Sequence, residues 1–119
     1  MARIPVGKSA RDGYSRVIEL DNYVSENVDD TIKNLVYLRV SLINGCTYCV
    51  DSHSTDLLAG EMLPRKIFSV TTWRESAFFD ERERMALELT EAITNIAGGV
   101  SDELCDAAHA VFSERRSAI

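Results

Sequence analysis

Apolar residues recur along much of this chain at intervals of three and four, the spacing that places them on one face of a helix. One such stripe predicts a first helix that starts at Ser15, a suitable N-cap. A second predicts a helix over residues 31 to 43, capped by Asp29 or Asp30. Apolar residues cover most of its circumference, so we expect it at the centre of the fold.

Asn44-Gly45 breaks the second helix, and a third helix begins near Cys46 and ends at Gly60. Three further helices follow it. Pro64 suits the first turn of a short helix over 65 to 72, and Asp80-Glu81-Arg82-Glu83 reads as a capping box opening a long one. Ser101 caps the last. Their expected inward residues are Ile67, Phe68 and Val70, then Met85, Ala86, Leu89, Ala92, Ile93 and Ile96, then Leu104, Cys105, Ala108, Val111 and Phe112. Arg82, Glu83 and Glu91 are expected to lie largely off the long helix's stripe.

The two ends of the chain differ from this pattern. Residues 1 to 13, with Pro5, Gly7 and Gly13 among mixed charges, are interpreted as an extended arm. Ser113 looks like the cap of one more helix, yet the sequence stops at Ile119, so we expect a truncated C-terminal helix. With no strand alternation or repeat, 119 residues and 45% hydrophobic content, the prediction is one all-α domain over 1–119.

Charge narrows the classes of partner. A net charge of -6 and a pI near 4.8 argue against nucleic acid and anionic membranes. No apolar run approaches the roughly 20 residues of a membrane span or forms a signal-peptide core, so a cytoplasmic location is expected. Structural disulfides are kept reduced there, and a Cys-x-x-Cys pair is then more often catalytic or metal-binding.

The candidate chemistry lies in Cys46-Thr47-Tyr48-Cys49, followed by His53. On a helix, offsets of three and four share a face, so both sulfurs and the imidazole are expected to lie together. The first turn of a helix has free N–H groups and the positive end of the dipole, which favour a reactive thiolate. The pattern therefore indicates a dithiol with an attached base.

Other interpretations of the same residues remain open. Helical flanks disfavour a thioredoxin fold, which places its Cys-x-x-Cys beside a βαβ unit. A zinc site would need four ligands, and Cys105 with His109 could complete one. The cysteines could also simply pack in a helical core. The aromatic run of Trp73, Phe78 and Phe79 is expected to cap the core or an interface.

The run from Leu38 to His53, with Ile43-Asn44-Gly45 before the Cys-x-x-Cys-x-x-x-His core, resembles the alkylhydroperoxidase D-like branch of the carboxymuconolactone decarboxylase superfamily. Trp73-Arg74-Glu75 and Phe79-Asp80-Glu81-Arg82-Glu83-Arg84 fit the same branch. The resemblance covers roughly residues 15 to 115. It implies an all-α helical bundle with a central hairpin that carries the cysteines, assembled into trimers or hexamers. The decarboxylase branch generally lacks the cysteine pair.

The resemblance also implies a thiol-dependent peroxidase. Cys49 would attack the hydroperoxide, Cys46 would resolve the sulfenic acid as a disulfide, and His53 would belong to the proton relay. No bound cofactor is implied, because electrons come from an external thiol or disulfide reductant. Oligomerisation is also expected from the apolar second helix and the aromatic run.

The sequence departs from that family pattern at Asn34, where the relay usually has a glutamate twelve residues before the first cysteine. Asparagine forms hydrogen bonds but carries no proton near neutral pH. The relay would then rest on His53, water and Tyr48, which replaces a second histidine. Weak turnover or another substrate is expected, and a redox-sensing or disulfide-exchange module without peroxide turnover is the alternative.

Overall fold

The computed structural model describes residues 3–112, and all regular structure in that part of the chain is helical. The α-helices are α1 (Val6–Ser9), α2 (Arg11–Asn27), α3 (Asp30–Asn44), α4 (Thr47–Ala59), α5 (Pro64–Phe68), α6 (Glu81–Thr94) and α7 (Asp102–Val111). Short 3₁₀ segments cover Ser69–Glu75 and Ile96–Gly98. No helix among these residues is long and apolar enough to cross a membrane. The predicted helix beginning at Ser113 lies outside the described residues.

Helix α3 is the centre of the bundle, as its apolar pattern predicts. Asp29 caps it by accepting a hydrogen bond from the Ile32 amide at 3.1 Å. Leu35 and Leu38 are buried on this helix, which packs against both α4 and α6. The core around it consists of Leu35, Leu38, Leu57, Ile67, Val70, Trp73, Phe79 and Leu87. These side chains come from α3, α4, α5, α6 and the segment between the last two, so the core fixes the hairpin of α3 and α4.

The N-terminal region is helical, and the predicted extended arm is wrong for the residues of α1 and the start of α2. Pro5 stands directly before α1, and Ala10, with φ of -132°, separates the two helices. Gly13 lies inside α2, where a helix tolerates glycine at about 1 kcal/mol relative to alanine. Ser15 is therefore not an N-cap. Helix α2 buries none of its residues.

Helix α6 has the predicted capping box, but its buried face is partly polar. Asp80 accepts from the Glu83 amide at 2.8 Å, and Glu83 accepts from the Asp80 amide at 2.9 Å. Glu83, Ala86, Leu87 and Thr90 are the buried residues, at helical spacing. The prediction that Glu83 lies off the buried stripe is therefore wrong, because an ion pair with Lys66 compensates its burial. Ile93 and the Ile96 that follows the helix are exposed.

The predicted inward residues between α4 and α6 are only partly correct. Ile67, Val70, Trp73 and Phe79 are buried, whereas Phe68 is 78% exposed. Trp73 and Phe79 thus belong to the core of this chain.

The end of α4 differs from the prediction of a left-handed glycine, because Gly60 has an ordinary φ of -81°. Glu61, with φ of 68°, is the residue that takes the left-handed conformation there.

Candidate functional site

A left-handed glycine delivers the cysteines to the start of a helix. Gly45 ends α3 with φ of 67°, and its amide donates to the Leu42 carbonyl at 3.3 Å. The next amide, that of Cys46, donates back to the Ser41 carbonyl at 3.1 Å. These two bonds form a Schellman ending, which glycine adopts without the penalty of a Cβ. The chain therefore turns sharply and enters α4 at Cys46.

Cys46 and Cys49 are joined by a disulfide whose Cα atoms lie 5.3 Å apart. Cys46 is the N-cap of α4, and its Sγ accepts a hydrogen bond from the Cys49 amide at 3.2 Å. This confirms the expected helix start near Cys46. Both sulfurs belong to the first turn, where free amides and the helix dipole favour negative charge on sulfur once the bond is reduced.

His53 lies one turn further along α4, on the same side as Cys49. Its side chain is 26% exposed, and its Nδ1 atom is buried without a hydrogen-bond partner in the described part of the chain. The nearest carboxylate oxygen, Oδ2 of Asp56, is 3.7 Å from Nδ1, which is too long for a hydrogen bond. The imidazole packs instead against the ring of Tyr37, with centroids 4.9 Å apart.

The disulfide and His53 open into one cavity of about 430 Å³. Its lining combines the ends of α3 and α4 with one residue from α2: Asp21, Val36, Tyr37, Val40, Ser41, Asn44, Cys46, Cys49 and His53. The Tyr37 hydroxyl donates to Asp21 at 3.1 Å. Partial burial, followed by the hydrogen bond and charge of Asp21, raises the pKa of Tyr37 above its usual value. Tyr37 therefore stays neutral in this cavity at physiological pH.

The two remaining candidates, Asn34 and Tyr48, do not join this cavity. Tyr48 is 82% exposed, and neither residue is in the cavity wall. No hydrogen bond within residues 3–112 links Asn34 to His53. Sequence reasoning missed Tyr37 and Asp21. No sequence signal singles out Tyr37 among the polar residues of α3, and the place of Asp21 depends on how α2 crosses α3.

A larger cavity of about 640 Å³ lies between α3, α6 and α7. It meets the wall of the smaller cavity at Val36, Tyr37 and Val40. Cys105 and His109 line this larger cavity and are exposed, so they are not beside Cys46, Cys49 and His53. Among the described residues, no three His, Cys, Asp or Glu side chains come together to hold a metal ion.

An all-helical bundle whose central hairpin carries a cysteine pair and a histidine at the start of its second helix is the alkylhydroperoxidase D-like architecture. The chain belongs to the carboxymuconolactone decarboxylase family, whose pattern matches residues 11–92. A crystal structure shares the fold with a TM-score of 0.91 and 32% sequence identity, over 99% of this chain and 82% of the other. That structure is ATU0492 from Agrobacterium tumefaciens, a protein of unknown function suggested to be the antioxidant defence protein AhpD.

Two bacterial relatives are similar in sequence. The uncharacterized protein YdfG of Bacillus subtilis is 32% identical over 104 residues, which is 86% of this chain and 71% of YdfG. The uncharacterized protein YnjA of Escherichia coli is 32% identical over 77 residues, or 65% of this chain. The chain covers 42% of the length of YnjA. The family of this chain is therefore established.

Proposed function

We propose that this protein is a thiol-dependent peroxidase that reduces hydroperoxides through Cys46 and Cys49. The observation that carries the proposal is a disulfide at a helix start whose sulfurs share one cavity with a histidine. Two cysteines one helical turn apart lie close enough to form and break a disulfide, which suits a pair that cycles between dithiol and disulfide. The similarity to ATU0492, described as a suggested antioxidant defence protein, supports the same class of reaction.

The proposed reaction begins from the reduced pair. His53 accepts the Cys49 thiol proton, and the thiolate sulfur attacks the terminal oxygen of ROOH, breaking the O–O bond. The alkoxide takes the proton back and leaves as ROH, so Cys49 becomes a sulfenic acid. Cys46 then loses its thiol proton and its sulfur attacks the Cys49 sulfur, so the S–O bond breaks, the leaving hydroxide takes up that proton as water, and the disulfide forms. An external thiol or dithiol reductant returns the pair to the reduced state.

The assignment of the two roles follows the family resemblance and agrees with the positions of the side chains. Cys49 precedes His53 by four residues on α4, so the histidine is one turn away. Cys46 is the cap, with its sulfur directed at the Cys49 amide. A resolving thiol at that place needs little movement to reach a sulfenic acid on Cys49.

Stopped-flow thiol titration with cumene hydroperoxide tests the proposal, using Cys105→Ser as the background so that only the pair is counted. We expect rapid loss of two thiols per chain in this background. Cys49→Ser should remove the reaction, and Cys46→Ser should leave a sulfenic acid that dimedone traps. No thiol loss with the pair intact would rule out the peroxidase, and a dimedone adduct on Cys46 would reverse the two roles.

A disulfide-exchange or redox-sensing module is the second candidate. It is favoured by Asn34, which carries no ionisable group and forms no hydrogen bond with His53 within the described residues. Asn34→Glu distinguishes the two. An increase in peroxide turnover supports an enzyme limited by its relay, whereas unchanged turnover with rapid reduction by a protein dithiol supports exchange.

We also propose that the protein acts as a homo-oligomer. The observation is α2, whose apolar residues Val17, Ile18 and Leu20 are 60%, 41% and 63% exposed. Large apolar side chains left exposed together on one helix mark a surface suited to contact with another chain. Analytical sedimentation should show a trimer or a hexamer, and Leu20→Glu should weaken the association between the chains. A wild-type monomer at micromolar concentration would contradict the proposal. The aromatic run contributes less than expected, since Trp73 and Phe79 are buried in the core.

A further inference from the structure

We propose that Tyr37, anchored by Asp21, is the positioning residue that holds the imidazole of His53 beside the cysteine pair. The inference rests on the proposed function for its kinetic consequence, but its structural part is independent of any turnover. It concerns two residues, one from α3 and one from α2, that converge on the cavity of the disulfide.

Among the described residues, no hydrogen bond fixes the ring of His53. A catalytic imidazole is commonly oriented by a partner on the nitrogen that does not react. Here Nδ1 is buried without a partner in the described chain, and Asp56 is 3.7 Å away and 54% exposed. The orientation of the ring must therefore come from packing.

Tyr37 supplies that packing. The two rings are inclined at 59° with centroids 4.9 Å apart, a tilted arrangement that aromatic pairs favour. Tyr37 belongs to α3, the buried centre of the bundle, whereas His53 belongs to α4. The contact therefore ties the imidazole to the helix at the centre of the bundle.

Tyr37 is itself held through its backbone and through its hydroxyl. Its backbone lies within α3, where its carbonyl accepts from the Ser41 hydroxyl at 2.6 Å. Its own hydroxyl donates to Asp21 at 3.1 Å. The raised pKa of Tyr37 is consistent with this arrangement, because a neutral hydroxyl is the form that can donate to a carboxylate. Asp21 thus restrains the ring that restrains His53.

Proton NMR gives the direct test, since the chain has only two histidines. We expect the ring protons of His53 to be shifted upfield by the Tyr37 ring, with His109 as an internal reference. Tyr37→Leu should abolish the shift, and Tyr37→Phe, which keeps the ring, should restore it. A wild-type His53 signal without a ring-current shift would overturn the positioning role, whether or not the protein turns over peroxide.

The kinetic arm measures cumene hydroperoxide reduction by the same variants. Tyr37→Leu should slow Cys49 oxidation by about tenfold or more, because misorienting a general base forfeits much of its contribution. Tyr37→Phe and Asp21→Ala should each slow it by a few-fold, and Tyr14→Phe, a change on an exposed tyrosine of α2, should have no effect.

The outcomes separate the two proposals. If the wild type reacts rapidly and folded Tyr37→Leu reacts equally fast, the positioning role is wrong and the peroxidase stands. If the wild type does not react, the peroxidase is wrong and the NMR arm decides the positioning role. Circular dichroism and thermal melts check folding. If Tyr37→Leu is unfolded, Tyr37→Phe and Asp21→Ala decide instead, and wild-type rates in both would overturn the role.

Discussion

Lys66 donates hydrogen bonds to both carboxylate oxygens of Glu83, at 2.9 Å and 2.7 Å. The same Glu83 carboxylate closes the cap of α6 by accepting from the Asp80 amide. The Glu83 side chain is 6% exposed and that of Lys66 is 20% exposed. One buried carboxylate thus joins α5 to the start of α6, and both charges are compensated.

Replacing Glu83 should therefore destabilise the bundle. In Glu83→Gln the amide can still close the cap, but Lys66 loses its counter-charge, which we expect to cost about 2 kcal/mol in the free energy of unfolding. Glu81→Gln is the matched control, because it removes the same charge from an exposed position of the same helix and should cost less than about 1 kcal/mol. Urea unfolding compares the two, and equal losses would contradict the role given to the ion pair.

Glu91 connects the single tryptophan to two arginines. Its Oε1 accepts from the indole of Trp73 at 3.1 Å and from Arg74 at 3.3 Å, and its Oε2 accepts from Arg39 at 3.2 Å. Glu91→Ala should lower the free energy of unfolding by about 2 kcal/mol, since Arg39 is left partly buried without its partner.

The fluorescence of Trp73 reports the same change, because it is the only tryptophan in the chain. Loss of the indole hydrogen bond should shift its emission in Glu91→Ala. Glu88→Ala, on the same helix, serves as the control. An unchanged emission spectrum in Glu91→Ala would mean that the indole bond is not kept in solution.

Gly45 should be intolerant of a side chain for conformational reasons alone. An added Cβ would meet no atom within 4 Å, yet φ is positive, so the penalty is the left-handed backbone. Gly45→Ala should cost about 1 kcal/mol or slightly more. Gly13→Ala provides the opposite case, because Gly13 is helical with open space around it and should gain roughly 0.5 to 1 kcal/mol. Thermal melts with the disulfide intact would measure both changes. A Gly45→Ala protein as stable as the wild type would contradict the left-handed backbone at this residue.

Tyr37 should make the free energy of unfolding depend on pH in the alkaline range. Its pKa is raised in the folded chain above the value of about 10 that it has when unfolded. The folded state thus holds this proton more tightly, so the stabilising contribution is complete below the unfolded pKa and is lost as pH rises through the folded one. The wild-type advantage over Tyr37→Phe should be constant from pH 7 to 9 and shrink above about 10. Urea unfolding across this range measures the difference, and an advantage that grows above pH 10 would show the opposite shift.

Local signals predicted most of the helices and the chemical core of the site. Asp29, Asp80 and Ser101 cap the helices as their positions indicate, because capping depends on residues three or four apart. The N-terminal arm was predicted wrongly, since glycines that tend to interrupt a helix are tolerated within one.

The tertiary structure decided where the charged residues of α6 lie, which the spacing of apolar residues could not predict. The apolar pattern predicts Glu83 off the buried face of α6, yet it is buried beside Lys66, which is 17 residues away in the chain. Glu91 stays partly exposed, and its bond from Trp73 joins residues 18 apart. Such partners have no local pattern, because a buried charge is stable only where folding brings its counter-charge.

By itself, the amino-acid sequence determined that the cysteine pair and His53 share one face of a helix, because that geometry needs only backbone periodicity. It also determined the break at Gly45 that places them there. Only the tertiary structure decided which neighbours the histidine has, since Tyr37 packs on its ring from α3 and Asp21 bonds that tyrosine from α2. Tyr48 stands between the two cysteines but is exposed on its helix, and Asn34 of α3 is absent from the cavity wall.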